Sequence, residues 1–234
     1  SKDGFYSSPH MKVVTSLNYF KTIHRYIHYD ISTLEKLFND AVKKNYVPSK
    51  LMSVDECLSG FRGKTTYLQY IPSKPDKYGM KFFVCADASG YVWETWLYRG
   101  KKSERNTDSS GIVLDFVESI PKNSITICDN YYGSHNLAAK LNEKNELFIM
   151  NVRDNRPSYL FKNCLQNYLK HKGDSKYMYS PDGSLIALSK WDKKKVNFIS
   201  NCFGCEKSEM CKQNCLIFIE LEIQKLELLE FLIV

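Results

Sequence analysis

Proline and glycine are sparse in this 234-residue chain, at 7 and 11 residues, and no internal repeat or low-complexity stretch interrupts it. Collagen-like, solenoid and disordered architectures are thereby excluded. Histidine is scarce as well: His24, His28, His135 and His171 share no metal-like spacing, so each reads as a surface or core residue. No charged start, apolar run and small-residue cleavage site follows Ser1, so no secretory signal is expected. The longest apolar stretch, Leu216 to Val234, is broken by Glu220, Glu222, Lys225, Glu227 and Glu230, which argues against a bilayer span. Together these absences predict a soluble intracellular protein with no membrane partner.

What is present is a chain able to bury a substantial core, with 43% hydrophobic and 14% aromatic residues. Its net charge of +7 is unevenly placed, since residues 150–200 hold ten Lys and Arg against four acids, a local +6. From Cys202 onward six Glu oppose three Lys. A basic middle of this kind fits either a polyanionic partner or a solvated lysine-rich face. Cys57, Cys85, Cys128 and Cys164 stand alone in apolar surroundings and read as small buried hydrophobes. Cys202, Cys205, Cys211 and Cys215 form C-x2-C-x5-C-x3-C, whose first pair has zinc-knuckle spacing but whose later gaps are short and lack a flanking His.

Periodicity outlines the elements. Ser16 ahead of Leu17, Phe20, Ile23, Tyr26 and Ile27 predicts an N-capped amphipathic helix, and Leu34, Leu37, Phe38 and Ala41 predict a second, ending near Lys44 before Pro48. β-Prone runs at Lys81–Ala86 and Tyr91–Tyr98, separated by Asp87, Ser89 and Gly90, predict a hairpin. Strands are expected at Ser124–Cys128 and Leu147–Val152, with helices around Ile112–Val117 and Leu137–Leu141. Ser180-Pro181-Asp182-Gly183 marks a turn between Tyr177–Tyr179 and Leu185–Leu188, and Val196–Ser200 is a further strand, so the stretch from Tyr159 reads as β-rich. The alternation implies a mixed α/β layer.

Two aspartates lie where a charge is costly: Asp55 in Met52-Ser53-Val54-Asp55-Glu56, and Asp129 after Ile125-Thr126-Ile127-Cys128. If their strands are neighbours, the two carboxylates can hold Mg²⁺, a hard ion that favours oxygen ligands. Otherwise each is an ordinary turn aspartate.

Longer runs then carry a resemblance. Asp55-Glu56-Cys57-Leu58-Ser59-Gly60-Phe61-Arg62-Gly63-Lys64, Gln69-Tyr70-Ile71-Pro72-Ser73-Lys74-Pro75-Asp76-Lys77-Tyr78-Gly79-Met80-Lys81, Cys128-Asp129-Asn130-Tyr131-Tyr132-Gly133-Ser134 and Asn151-Val152-Arg153-Asp154-Asn155-Arg156 resemble, in order, segments of the piggyBac-type transposase core. The similarity runs over roughly residues 16 to 205. It implies a ribonuclease H-like mixed sheet with flanking helices and a β-rich insertion. The division it suggests is a helical lead-in over 1–50, the transposase core over 51–156, the insertion over 157–205 and a divergent tail over 206–234.

The resemblance also implies chemistry. In that family a triad of aspartates holds two divalent metals for phosphodiester hydrolysis, after which the freed 3′ hydroxyl attacks the second strand and then a target, typically TTAA. Asp55 matches the first aspartate and Asp129 the second, both as catalytic metal ligands with Mg²⁺ as the cofactor. The third lies in a Gly-Gly-Val-Asp-type segment that this sequence lacks, so the chain reads as C-terminally truncated and inactive, or as a non-enzymatic DNA-binding remnant. The implied partner is double-stranded DNA at transposon ends, contacted by Arg62, Lys64, Lys74, Lys77, Lys81, Arg153, Arg156, Lys193, Lys194 and Lys195 through phosphates rather than bases. The resemblance allows a homodimer and implies the nucleus as location.

Overall fold

The computed structural model describes residues 16–26, 30–100, 105–153 and 165–202. Two compact units emerge, residues 1–38 and 39–234. In the first, α1 (Leu17–Tyr26) starts where the Ser16 hydroxyl accepts the Tyr19 N–H at 3.2 Å, the expected N-cap. Helix α2 (Ile31–Asn45), which crosses the boundary at Phe38, begins after Asp30, whose Oδ2 accepts the Thr33 N–H at 2.7 Å, and ends in Lys43 and Lys44, favourable at a helix C-terminus. Ile27 and His28 lie outside the described residues, as does the His24 side chain.

The second unit is built on one nine-stranded mixed sheet: β1 (Leu51–Gly60), β2 (Leu68–Tyr70), β3 (Tyr78–Asp87), β4 (Val92–Leu97), β5 (Ile125–Cys128), β6 (Leu147–Val152), β7 (Ser175–Tyr179), β8 (Ile186–Trp191) and β9 (Lys195–Ser200). The order is β2-β3-β1-β5-β6-β9-β8-β7, with β4 paired to the outer side of β3 beyond β2. Strands β1, β5 and β6 run parallel, and the rest join antiparallel. The expected β3–β4 hairpin forms across Asp87 to Gly90, with Gly90 at a positive φ of 84° that glycine adopts without strain.

Helices α3 (Ser109–Val117) and α4 (His135–Glu143) supply the crossovers, capped by Asp108, which accepts from Gly111 N, and Ser134, which accepts from Leu137 N. Their buried faces, Ile112, Val113, Phe116, Leu137, Ala138 and Leu141, pack on one side of the sheet against Met52, Val54, Phe83, Cys85, Cys128, Phe148 and Met150. Hydrophobic burial of these side chains, about 1.5–3 kcal/mol each, is the main force joining the layers.

The β-rich stretch expected over 157–205 supplies β7, β8 and β9, and the β6–β9 ladder from Ile149↔Ser200 to Val152↔Asn197 joins them to the same sheet. A small second cluster, Leu188 and Phe198 with Tyr177 and Val196, holds this wing. Cys85 and Cys128 are buried as expected and Cys57 half-buried. Cys164, Cys205, Cys211, Cys215 and the tail over 206–234 lie outside the described residues. No helix among the described residues is long and apolar enough to cross a membrane.

Candidate metal centre and its basic rim

In β1 the pleat alternates burial, with Met52 and Val54 buried against the helices and Leu51, Ser53 and Asp55 half-buried on the opposite face. Strand β5 pairs with β1 in parallel register through Leu51↔Ile125, Met52↔Thr126, Ser53↔Ile127 and Val54↔Cys128. The next residues in that register are Asp55 and Asp129. Neighbouring strands are about 4.8 Å apart, so two aspartates 74 positions apart in sequence become side-by-side carboxylates.

Local geometry then fixes Asp129. Its Oδ1 accepts the Tyr131 N–H at 2.8 Å, and its carbonyl accepts from Tyr132 N and Gly133 N at 3.3 and 3.0 Å, a tight turn into α4. Gly133 is required there: a Cβ would overlap the Asn151 carbonyl on β6. Asp55 Oδ1 accepts the Glu56 N–H at 2.7 Å.

Neither carboxylate has a direct salt-bridge partner among the described residues, and their titration reflects it. Burial pushes the Asp55 carboxyl up to about 6, with the charges of Glu56 and Asp129 adding to the effect while the Glu56 N–H and Lys74 oppose it. Burial likewise raises Asp129, with Glu56 again adding, against the Tyr131 and Tyr132 N–H groups and Arg153. Crowded, partly desolvated carboxylates favour neutralisation by a cation, whether a proton or a metal ion.

Glu56, one residue from Asp55, belongs to this cluster although its sequence position gave it no role. Strand alternation turns it to the opposite face, where Tyr132 O–H donates to its Oε2 at 3.1 Å. Tyr132 is fully buried, and burial together with the charges of Glu56 and Asp55 holds its phenol protonated and donating. The only sequence signal for this pair was a carboxylate on a core-facing position, which requires a buried donor without naming it. Among the described residues no three His, Cys, Asp or Glu side chains gather closely enough to form a complete metal site. The donor chemistry of Asp55 and Asp129 fits a hard divalent ion, with its remaining ligands coming from elsewhere.

The same sheet end gathers the cations. Arg62 and Lys64 follow β1, Lys74 and Lys77 lie in the β2–β3 connection, Arg153 follows β6, and Lys193 and Lys194 form the β8–β9 turn. Because β9 runs antiparallel to β6, that distant turn returns to the end where β1, β5 and β6 finish. Arg62, Lys64, Lys77, Arg153, Lys193 and Lys194 are exposed. Three others are engaged within the fold: Lys74 Nζ donates to the Glu56 carbonyl at 3.5 Å, Lys81 lies over the Phe83 and Tyr131 rings, and Lys195 Nζ donates to the Gln166 carbonyl at 3.0 Å while covering Trp191. Arg153 Nε donates to Asn130 Oδ1 at 2.9 Å beside Asp129. Arg156 lies outside the described residues. Of the histidines, His135 is half-buried at the start of α4, its pKa lowered by burial, and exposed His171 lies 3.9 Å from Asp174.

A sequence model of the Transposase IS4 family matches residues 14–225 of this chain. The chain belongs to that family. A cryo-EM structure of a piggyBac transposase synaptic complex with hairpin DNA matches this IS4-family chain with a TM-score of 0.63 and 28% sequence identity, over 74% of this chain. The match spans 37% of that transposase, so this chain corresponds to well under half of its length. The fold of this IS4 transposase relative is thus ribonuclease H-like, and a family of DDE transposases uses divalent metal in general.

Proposed function

We propose that this chain is the core of a DNA strand-cleaving and strand-joining transposase, in which Asp55 and Asp129 hold Mg²⁺ against a DNA phosphate. The observation that carries this reading is the β1–β5 register, which brings two half-buried carboxylates of raised pKa together just past the carboxyl end of the parallel pairing. Open α/β sheets place ligands at that end. A bound divalent ion supplies Lewis-acid stabilisation of charge on the reacting phosphate. The chain's own residues would do the rest: Asp55 and Asp129 bind, Tyr132 and the Gly133 turn fix the second carboxylate, and the exposed cations at the same end neutralise duplex phosphates. The substrate is double-stranded DNA at element ends with a TTAA-type target, in a nuclear setting and with a second copy as the natural way to hold two ends.

Lacking the Gly-Gly-Val-Asp-type segment, the chain by itself is proposed to bind metal and DNA without completing cleavage. The second reading is a non-enzymatic DNA-binding protein, supported by the exposed Arg62, Lys64, Lys77, Arg153, Lys193 and Lys194, which can neutralise phosphates whether or not the carboxylates act.

The test is Mg²⁺ and Mn²⁺ titration, with a strand-cleavage assay on a TTAA-flanked end, for the chain and its Asp55→Ala and Asp129→Ala variants. Metal affinity lost in both variants, with equal background cleavage in all three proteins, supports the reading. Cleavage abolished by both substitutions shows that a third ligand exists and that the chain is active. Metal affinity unchanged by either substitution overturns the site.

A further inference from the structure

Two tyrosines on the part of the sheet where β1 and β3 run on beyond the carboxylates are exposed in a way that a folded core does not explain. Tyr70 on β2 and Tyr78 on β3 are direct cross-strand partners, their ring centroids 4.8 Å apart at 37°, yet each is 56% exposed. Exposed large aromatics placed as a pair mark a binding surface more often than a lone exposed ring does.

Their position is set by the backbone. Gly79, next to Tyr78, lies so close to β1 that a Cβ would overlap the Ser59 carbonyl, and Phe61 N donates to the Tyr78 carbonyl at 3.2 Å, so the ring is carried on a rigid strand. Along β3, Tyr78, Met80, Phe82 and Val84 share one face, and Val84 is directly opposite Asp55. Tyr78 therefore stands on the same face of the sheet as Asp55, six residues or about 20 Å farther along the strand. That is the length of about six stacked nucleotides at 3.4 Å each.

The surroundings are cationic. Lys74, Asp76 and Lys77 lie in the connection between the two tyrosine-bearing strands, which is closed by Ile71 N donating to the Lys77 carbonyl at 2.9 Å, so that with Arg62 and Lys64 four cations stand against one acid. Arg62 and Lys64 lie in the loop that leaves β1 beside Tyr78, and Arg62, Lys64 and Lys77 are exposed. A hydrophobic protein partner has no use for this charge, whereas a strand whose phosphates run beside its bases does.

We propose that the Tyr70–Tyr78 pair is a stacking platform for an unpaired base of a DNA strand whose phosphates follow the adjoining lysines and arginines. The platform reads any base through its π-face, so it recognises the unpaired state and not the sequence. Bases within a duplex are already stacked on their neighbours, so the platform distinguishes a displaced or single-stranded segment from intact duplex. The inference rests on the DNA reading above and adds to it a preference for DNA opened about 20 Å from the carboxylates.

The test uses the full chain in EDTA, where no cleavage occurs, with a short single strand carrying a fluorescent adenine analogue and the same sequence as duplex. The chain is compared with Tyr70→Leu/Tyr78→Leu and Tyr70→Phe/Tyr78→Phe. The expected result is quenching of the analogue by the wild-type chain, about a 5- to 100-fold loss of single-strand affinity in the Leu variant, duplex affinity unchanged, and retention by the Phe variant. Equal loss on both DNA forms, no loss, or no quenching by the wild type overturns the platform. So does a change of oligomeric state in the Leu variant without a change in DNA binding, which assigns the rings to a contact between copies. If the Leu variant fails to fold, quenching by the wild-type and Phe proteins decides. Duplex binding without single-strand preference sinks this inference alone, and absence of all DNA binding sinks the functional reading with it.

Discussion

The phenol of Tyr132 donates to Glu56 Oε2 at 3.1 Å, joining the turn that carries Asp129 to the strand that carries Asp55. Tyr132→Phe keeps the ring in its buried place but leaves Glu56 without this donor. Unfolding in urea should show a loss of about 1 kcal/mol, since Glu56 is half-buried and water can replace part of the lost bond. Mg²⁺ affinity should fall as well, because the bond holds the two carboxylate-bearing segments together. An unchanged urea midpoint and metal affinity would remove Tyr132 from the site.

Asp55 predicts a definite pH dependence. Its folded pKa of about 6 exceeds the ordinary 3.8, so the folded state holds this proton more tightly than the unfolded chain does. The associated stability is fully present below about pH 4 and is lost as pH rises through about 6. The difference corresponds to at most about 3 kcal/mol, less once residual solvent access is allowed for. Asp55→Asn should therefore melt higher than the metal-free wild type at pH 7 and show a weaker pH dependence between 4 and 7, Asp129 supplying what remains, while no longer gaining stability from Mn²⁺. A lower melting temperature for Asp55→Asn would contradict this account of the site.

At the opposite end of the sheet Asp87 shows the reverse behaviour. It is fully buried, and although burial works against its ionised form, the Ser89 and Tyr46 hydroxyls and the Ser49, Ser89 and Tyr91 N–H groups outweigh burial and hold its carboxyl below the usual range. This stability is present above about pH 4 and is lost as pH falls through the lowered value. Asp87→Ala strips several donors at once and should cost about 2–4 kcal/mol at pH 7, with the gap to wild type narrowing in acid. Thermal melts across pH 2.5 to 7 measure both, and a gap that does not narrow would refute the assignment.

The triple lysine at the β8–β9 turn should divide by function. Lys193 and Lys194 are exposed, whereas Lys195 covers Trp191 and bonds the Gln166 carbonyl. Lys193→Glu/Lys194→Glu should weaken duplex binding and flatten its salt dependence between about 50 and 200 mM. Lys195→Ala should instead lower stability by about 1 kcal/mol with the salt slope kept. Equal effects from the two variants in filter binding would show that the turn acts as a single charge cluster.

Much of this molecule was legible from local pattern. The 3.6-residue recurrence of Ile112, Val113, Phe116 and Val117 marked α3, and the alternating runs around Asp87 to Gly90 marked the β3–β4 hairpin, because those elements are set by neighbours a few residues away. The acidic motifs marked Asp55 and Asp129 as candidates. Strand β2 was missed, since three residues, Leu68–Tyr70, are too few to show a period. Pairing across long separations was equally hidden. Nothing near Val152 announces Asn197, yet that ladder merges the β-rich wing with the core sheet and returns Lys193 and Lys194 to the carboxylate end. Nor does local sequence say that the charge of Lys195 is spent inside the fold, or that Glu56 meets Tyr132 from 76 positions away. Composition and periodicity determined which segments become strands and helices and which side chains can bear charge. Only the tertiary register, set by burial of the face beneath α3 and α4, decided which of those charges meet, because a slip of one residue in β1 or β5 would turn Asp55 or Asp129 to the opposite face.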